Sequence, residues 1–221
     1  MYYKNFKRFF DILSSFLALI ILLPILFPIM IILLSTGENY IFYFQERIGL
    51  KNKKFSIWKF ATMLKDSPNL GTGLHTTTND PRILPIGGFL RKTKINELPQ
   101  LINVFLGDMS VVGPRPLVDK TFDYYPENIK AKIYNVKPGL TGIGSIVFRD
   151  EEEILSKTKL PLDEYTKKYI SPYKGKLELW YQNNQSFFVD FMIIISTVWV
   201  ILFPKSDIYY KVFKTLPKRD F

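Results

Sequence analysis

The sequence contains no cysteine and a single histidine, His75. Without cysteine there is neither a disulfide framework nor a thiolate zinc site, so the fold needs no oxidising compartment and a cytoplasmic active face is permitted. His75 sits in a run of Gly, Thr, Asn and Asp residues and reads as loop surface rather than as a catalyst or metal ligand. Internal repeats and low-complexity tracts are absent too. Acidic residues are outnumbered, with 30 Lys and Arg against 20 Asp and Glu and a formal charge of +10. Such a balance favours a polyanionic partner: lipid head groups, a nucleotide diphosphate or nucleic acid. The basic residues are dispersed, no nucleic-acid-binding module is present, and lipid accounts for the same charge, so no nucleic-acid partner is expected. A chain of 221 residues holds one domain with a core rather than two.

Two long apolar runs stand out. Ile12 to Leu34 is interrupted only by Ser14, Ser15, Pro24 and Pro28, and no Ala-x-Ala-like cleavage site marks it as a removable signal. As a straight helix it would measure about 35 Å, enough to cross a hydrocarbon layer of about 30 Å. Pro24 and Pro28 predict a kink in mid-run. Basic residues flank both ends (Lys4, Lys7 and Arg8 before; Arg47, Lys51, Lys53 and Lys54 after), so neither flank is clearly the outer one. A re-entrant hairpin and a kinked transmembrane helix both agree with this pattern. The second run, Phe187 to Phe203, carries Asp190 near its start and is closed by Pro204. It is short for a crossing. Trp180, Tyr181, Trp199, Tyr209, Tyr210 and nearby lysines favour a helix lying in the interface or in the core.

Between the runs, Tyr40 to Glu46 and Phe55 to Phe60 are aromatic and β-branched stretches around a Gly- and Lys-rich turn, which predicts a β-hairpin. Residues 66–81 read as loop. A short helix is expected to end over Gly87 to Lys92, and a second follows from the spacing of Leu98, Leu101, Ile102 and Phe105, stopped by Gly107. Met109 to Val112 is a strand candidate leading into Gly113-Pro114-Arg115-Pro116, whose prolines fix the backbone on either side of the arginine. Asn128 to Asn135 reads as a short helix, Pro138 to Gly142 as a turn, and Asp150 to Glu153 as a solvated helix start rather than a metal site. The expected fold class is α+β: an N-terminal membrane helix (residues 1–36), a small, mostly helical interfacial catalytic domain with a short hairpin (37–186), and a C-terminal interfacial helix with a basic tail (187–221).

Asn96-Glu97-Leu98-Pro99 admits two readings. In the plain one, Asn96 caps the second helix and Glu97 favours its positive end. In the functional one, the helix start faces a phosphate, Glu97 holds a divalent metal, and Arg91 and Arg115 clamp phosphate oxygens with their planar forks.

The order LRKTKINELPQLINVFLGDMSVVGPRP resembles the bacterial sugar transferase family, the small monotopic phosphoglycosyl transferases. The likeness extends to the Pro-broken apolar run, Phe44 to Gly49, Lys59-Phe60 with Thr62-Met63, Asp80 to Ile83, Lys137 to Gly142, and the apolar helix after Ser186. The resemblance implies an enzyme that moves a phosphosugar from a UDP-sugar to undecaprenyl phosphate, starting a lipid-linked glycan for capsule, O-antigen, exopolysaccharide or glycoprotein. It implies Mg2+ as cofactor, the cytoplasmic face of a bacterial inner membrane as location, and downstream glycosyltransferases as partners. Lys59, Arg91, Arg115 and Arg149 would bind substrate phosphates, and Glu97 would hold the metal. In the family an Asp attacks the β-phosphate and releases UMP.

Here that Asp is Asn96, and a neutral amide is not a competent nucleophile for phosphorus. Ala61 replaces a usual basic residue, Ile143 a frequent aromatic, and Glu178 falls where the family often has Asp. Four readings of Asn96 follow: Glu97 attacks, the substrates react directly, the amide is converted to a carboxylate, or the chain is an inactive membrane scaffold that binds sugar nucleotide.

Overall fold

A computed structural model describes residues 2–70 and 80–221; the His75 reading lies outside them. Helix α1 runs unbroken from Tyr2 to Ser35, through both prolines. The serines in its apolar run return their hydroxyls to the helix, Ser14 to the Phe10 carbonyl and Ser15 to that of Asp11, both at 2.6 Å, so neither is a cost in an apolar setting. Gly37, at φ +63°, turns the chain out of the helix.

Strands β1 (Phe42–Ile48) and β2 (Lys54–Phe60) form the expected antiparallel hairpin, from Phe42 opposite Phe60 to Ile48 opposite Lys54. Side chains alternate across its two faces. Phe42 and Phe44 meet Trp58 edge-to-face on one face, with ring centroids 5.2 and 4.8 Å from Trp58. Tyr43, Gln45, Arg47, Ile57 and Lys59 share the other, where buried Ile57 packs with Val104 and Met109.

Next come α2 (Gly87–Lys92), a 3-10 turn over Ile95–Glu97, α3 (Gln100–Leu106) closed by Gly107 at φ +101°, and β3 (Ser110–Val112). Asn96 is therefore not a helix cap. Lys94 takes a left-handed φ of 61° and starts a separate turn, Pro99 occupies the position before α3, and the Asn96 side chain caps nothing. Helices α4 (Asp119–Phe122) and α5 (Glu127–Ile133) precede β4 (Gly139–Thr141), which pairs in parallel with β3. The Pro138–Gly142 segment, expected as a turn, is thus half of a small sheet. Glycine makes the approach possible: a Cβ on Gly139 would lie 2.1 Å from the Gly113 nitrogen.

The chain continues through α6 (Ile143–Val147), α7 (Glu151–Lys157), α8 (Leu162–Tyr165), a π-helical turn over Thr166–Ile170, α9 (Ser171–Asn183), α10 (Phe187–Leu202) and α11 (Ile208–Val212). The largest core joins α6, α9 and α10 with Phe213 and Leu216 beyond α11. The acidic start of α7 is paired rather than merely solvated: Asp150 bonds Arg219 and Glu151 bonds Lys174.

Both ends of α1 rest on this one body. Near its start, Asp11 accepts the Val111 N–H and the Ser110 hydroxyl at 2.9 and 3.0 Å, and Arg8 donates to the carbonyls of Val104 and Phe105 at 2.6 and 2.7 Å. Asp190 of α10 gathers Tyr3, Lys7 and Tyr181. Toward its end, Leu26, Ile29 and Leu33 pack with Phe60 and Leu90. Between them Leu17, Ile20, Ile21, Leu23 and Ile25 are exposed. Phe187 meets Phe6 edge-on at 5.4 Å, and α10 continues the apolar surface with exposed Phe188, Phe191, Val198 and Leu202. Among the described residues α1 alone is long and apolar enough to cross a membrane; α10 has one buried and one exposed apolar face.

Candidate active site

The site forms where the hairpin, the 3-10 turn and the Pro-Arg-Pro segment meet. Asn103 of α3 pins itself to β2 by accepting the Trp58 N–H at 2.9 Å and donating to the Ser56 carbonyl at 2.8 Å. That brings Glu97, just before α3, against Lys59. Lys59 Nζ donates to Glu97 Oε1 at 2.9 Å, and Arg115 Nη2 donates to the same oxygen at 3.2 Å. Oε2 receives no hydrogen bond among the described residues.

Arg115 is positioned through its backbone. The Tyr134 hydroxyl donates to the Arg115 carbonyl at 2.8 Å and accepts the Leu117 N–H at 2.9 Å. From below, buried Glu178 accepts the backbone N–H groups of Arg115 and Gly144. A Cβ at Gly144 would lie 2.3 Å from Glu178 Oε1, so any larger residue there would push that carboxyl aside. Arg47, on the Lys59 face of the hairpin, donates to the Pro116 carbonyl at 3.2 Å and to Gln45.

Three cations thus surround one carboxylate. Burial pushes the Lys59 ammonium down to about 8, with Arg115 and Arg47 adding repulsion against the pull of Glu97. Burial and the charge of Arg115 likewise lower Arg47, to about 10. Burial works to raise the Glu97 carboxyl, but Arg115 and Lys59 outweigh it and hold the group well below the ordinary carboxylate range. Glu178 shows the opposite balance: burial raises it to about 8 against the weaker pull of Lys174. Burial thus favours its neutral form, and its Oε2 has no partner.

Of the residues expected from sequence, the structure joins Glu97, Lys59 and Arg115. Asn96 is buried beside them, with its Oδ1 unpaired. Arg91 does not donate to Glu97; its Nη1 lies 3.5 Å from Met63 Sδ. Arg149 is exposed after α6 and makes no bond to Glu97. Arg47, Tyr134 and Glu178 were not assigned roles from sequence, although period-two alternation places Arg47 on the Lys59 face. Ala61 and Ile143, the two lesser departures, are both fully buried. Conversion of Asn96 to a carboxylate by succinimide closure needs the Glu97 backbone nitrogen, and that N–H is engaged with the Lys94 carbonyl at 3.1 Å.

For a divalent ion, the described residues hold no cluster of three or more His, Cys, Asp or Glu. The donor set does fit Mg2+ arriving with a diphosphate, because that ion keeps water and phosphate ligands and needs only one or two protein carboxylates. Glu97 Oε2 is the carboxylate oxygen left free of hydrogen bonds for it among the described residues.

A family model for bacterial sugar transferases matches residues 2–204. The chain belongs to the bacterial sugar transferase family. It is 36% identical over 197 residues to the Bacillus subtilis uncharacterized sugar transferase EpsL, covering 89% of this chain and 87% of the relative. It is 37% identical over 177 residues to a Klebsiella pneumoniae UDP-glucose:undecaprenyl-phosphate glucose-1-phosphate transferase, covering 79% of this chain and 38% of that protein. A Salmonella typhimurium undecaprenyl-phosphate galactose phosphotransferase is 32% identical over 210 residues, or 89% and 40% of the two chains. The chain therefore spans about two-fifths of the longer relatives and most of the shorter one.

Proposed function

We propose that the protein is a membrane-bound phosphoglycosyl transferase that moves a phosphosugar from a UDP-sugar to undecaprenyl phosphate, initiating a lipid-linked glycan for later glycosyltransferases. The observation that carries this reading is the Glu97 carboxylate held by Lys59 and Arg115 with Arg47 beside them, on a body that also carries the exposed apolar faces of α1 and α10. A net positive site suits a diphosphate, and the apolar faces suit a lipid acceptor.

Lys59, Arg47 and Arg115 bind and orient the phosphates, Arg115 with a planar fork fixed through Tyr134 and Glu178. Arg91 and Arg149 extend the same anion surface. Glu97 would hold Mg2+, which supplies neutralisation of the charge gathering on the UMP leaving group. In the covalent route a Glu97 oxygen attacks the β-phosphorus, the bond to the bridging oxygen breaks, and UMP leaves with the electron pair. The lipid phosphate then attacks the same phosphorus and frees the carboxylate. In the direct route the lipid phosphate displaces UMP itself. A phosphosugar adduct seen by intact mass without acceptor lipid supports the first; its absence in an active enzyme supports the second.

The two-ended docking of α1 favours a re-entrant helix over a kinked span, since a far end beyond the bilayer cannot pack on Phe60 and Leu90. The need for a UDP-sugar supports a catalytic body on the cytoplasmic face of the inner membrane. The test is UMP release by the purified protein in native-like lipid with undecaprenyl phosphate, Mg2+ and a panel of UDP-sugars. No UMP from a folded protein across the panel overturns the reading.

The unpaired amide at residue 96 favours a second reading, an inactive scaffold that still binds sugar nucleotide. A silent protein that gains turnover on Asn96→Asp would establish it, and robust turnover by the unaltered chain removes it.

A further inference from the structure

The family match ends at residue 204, yet the chain beyond it is built into the domain. Phe213 and Leu216 are 5% and 4% exposed and complete the main core. The Pro217 carbonyl accepts the Tyr173 hydroxyl at 2.8 Å. Arg219 then grips the corner between α6 and α7. Its two terminal nitrogens fork onto the two Asp150 oxygens at 2.9 and 3.0 Å, one of them also donates to the Val147 carbonyl at 2.7 Å, and the guanidinium lies 4.9 Å over the Phe148 ring.

The groups held by the Arg219 guanidinium flank Arg149. Residues 147, 148 and 150 are fixed by it, while Arg149 between them is exposed and bonded to nothing among the described residues. The same corner borders the site. Glu151 attracts the Arg115 guanidinium and bonds Lys174 at 2.7 Å, and Lys174 in turn faces Glu178, which accepts the Arg115 N–H. An arginine left without a partner on a clamped corner, two residues before the Glu151 that attracts Arg115, is set to receive an anion rather than to stabilise the fold.

We propose that residues 213–221 form a strap that aims Arg149 at the nucleotide diphosphate, with Arg219 as the positioning residue. This rests on the transferase reading above. A bidentate fork combined with a backbone bond and ring stacking fixes orientation in a way that a single ammonium cannot.

The test compares the full-length protein with Arg219→Ala, and with the charge swap Asp150→Arg combined with Arg219→Asp, by calorimetric binding of UDP and by steady-state kinetics with UDP-sugar. Arg219→Ala is expected to raise the Kd for UDP and the KM for UDP-sugar about tenfold, with kcat nearly unchanged, and the swap is expected to recover part of the loss. A purely structural role would lower the melting temperature and the active fraction while leaving Kd and KM where they were, and that result overturns the proposal. Should Arg219→Ala not fold, Arg219→Lys serves, with a smaller shift in the same direction required. Unaltered protein that binds no UDP removes the transferase reading and the strap's role with it, whereas normal binding by both proteins removes the strap alone.

Discussion

The Lys59 ammonium lies 2.9 Å from Glu97 Oε1, and both side chains are largely buried. A buried pair of this kind is weak evidence for stability, because desolvation offsets much of the attraction. On the transferase reading proposed above, its setting is explained by exchange: an arriving diphosphate would take over the lysine and Arg115, and the carboxylate would be released for chemistry or for a metal ion.

Glu97→Gln keeps the shape and removes the charge. Turnover is expected to fall by at least about 100-fold, while UDP binding is kept or strengthened, because the amide competes less well for Lys59 and Arg115. Parallel kinetics and calorimetry measure the split. Retained turnover would take Glu97 out of the mechanism.

With a value near 8 in the free protein, Lys59 carries its charge below that pH and loses it above. The profile of kcat/KM, which reports the free enzyme, is expected to decline above about pH 8. Lys59→Arg holds its charge throughout and should abolish that limb even if its absolute rate is lower. A limb that survives in Lys59→Arg belongs to another group.

Glu178 titrates near 8 in the folded protein against an ordinary 4.5. Between these values the folded state binds more protons than the unfolded one, so the contribution is full below about pH 4.5 and is lost as pH rises through 8. The melting temperature of the unaltered protein relative to Glu178→Gln should therefore fall steadily from pH 5 to pH 8. A constant difference would show that Glu178 is already ionised in the fold.

Asp190→Ala removes the acceptor shared by Tyr3, Lys7 and Tyr181. The cost is expected at about 1.5–3 kcal/mol, read by denaturation in detergent. Proteolysis or hydrogen exchange should show the first turns of α1 opening before the core, since Asp11 and Arg8 hold only the next turns.

Much of this was legible because it is local. Alternation and a polar turn specify the hairpin, a helix end by Lys92 was expected although its start at Gly87 was not, and Gly107 stops α3. What escaped depends on distant pairing or on a single backbone angle. β3 and β4 are three residues each and pair across the intervening α4 and α5, so nothing near Pro138–Gly142 signals a strand. The Asn96 cap fits the usual preference, but Lys94 turns left-handed and detaches the preceding turn from α3. In the site, Glu97 and Arg115 were legible as a carboxylate and a planar fork within one short stretch and Lys59 came from motif likeness, whereas Tyr134 and Glu178 act through the Arg115 backbone, a role that no side-chain pattern announces.

α1 starts and finishes on the same body. On the re-entrant reading proposed above, the bilayer that receives its bare middle is entered and left through one leaflet, so none of the flanking lysines and arginines has to travel through hydrocarbon, a passage costing roughly 2.5–3.5 kcal/mol each on insertion scales. On that reading no gating charge moves across the field. Insertion of this helix should then be indifferent to transmembrane voltage and sensitive instead to how tightly the lipids of that single leaflet are packed.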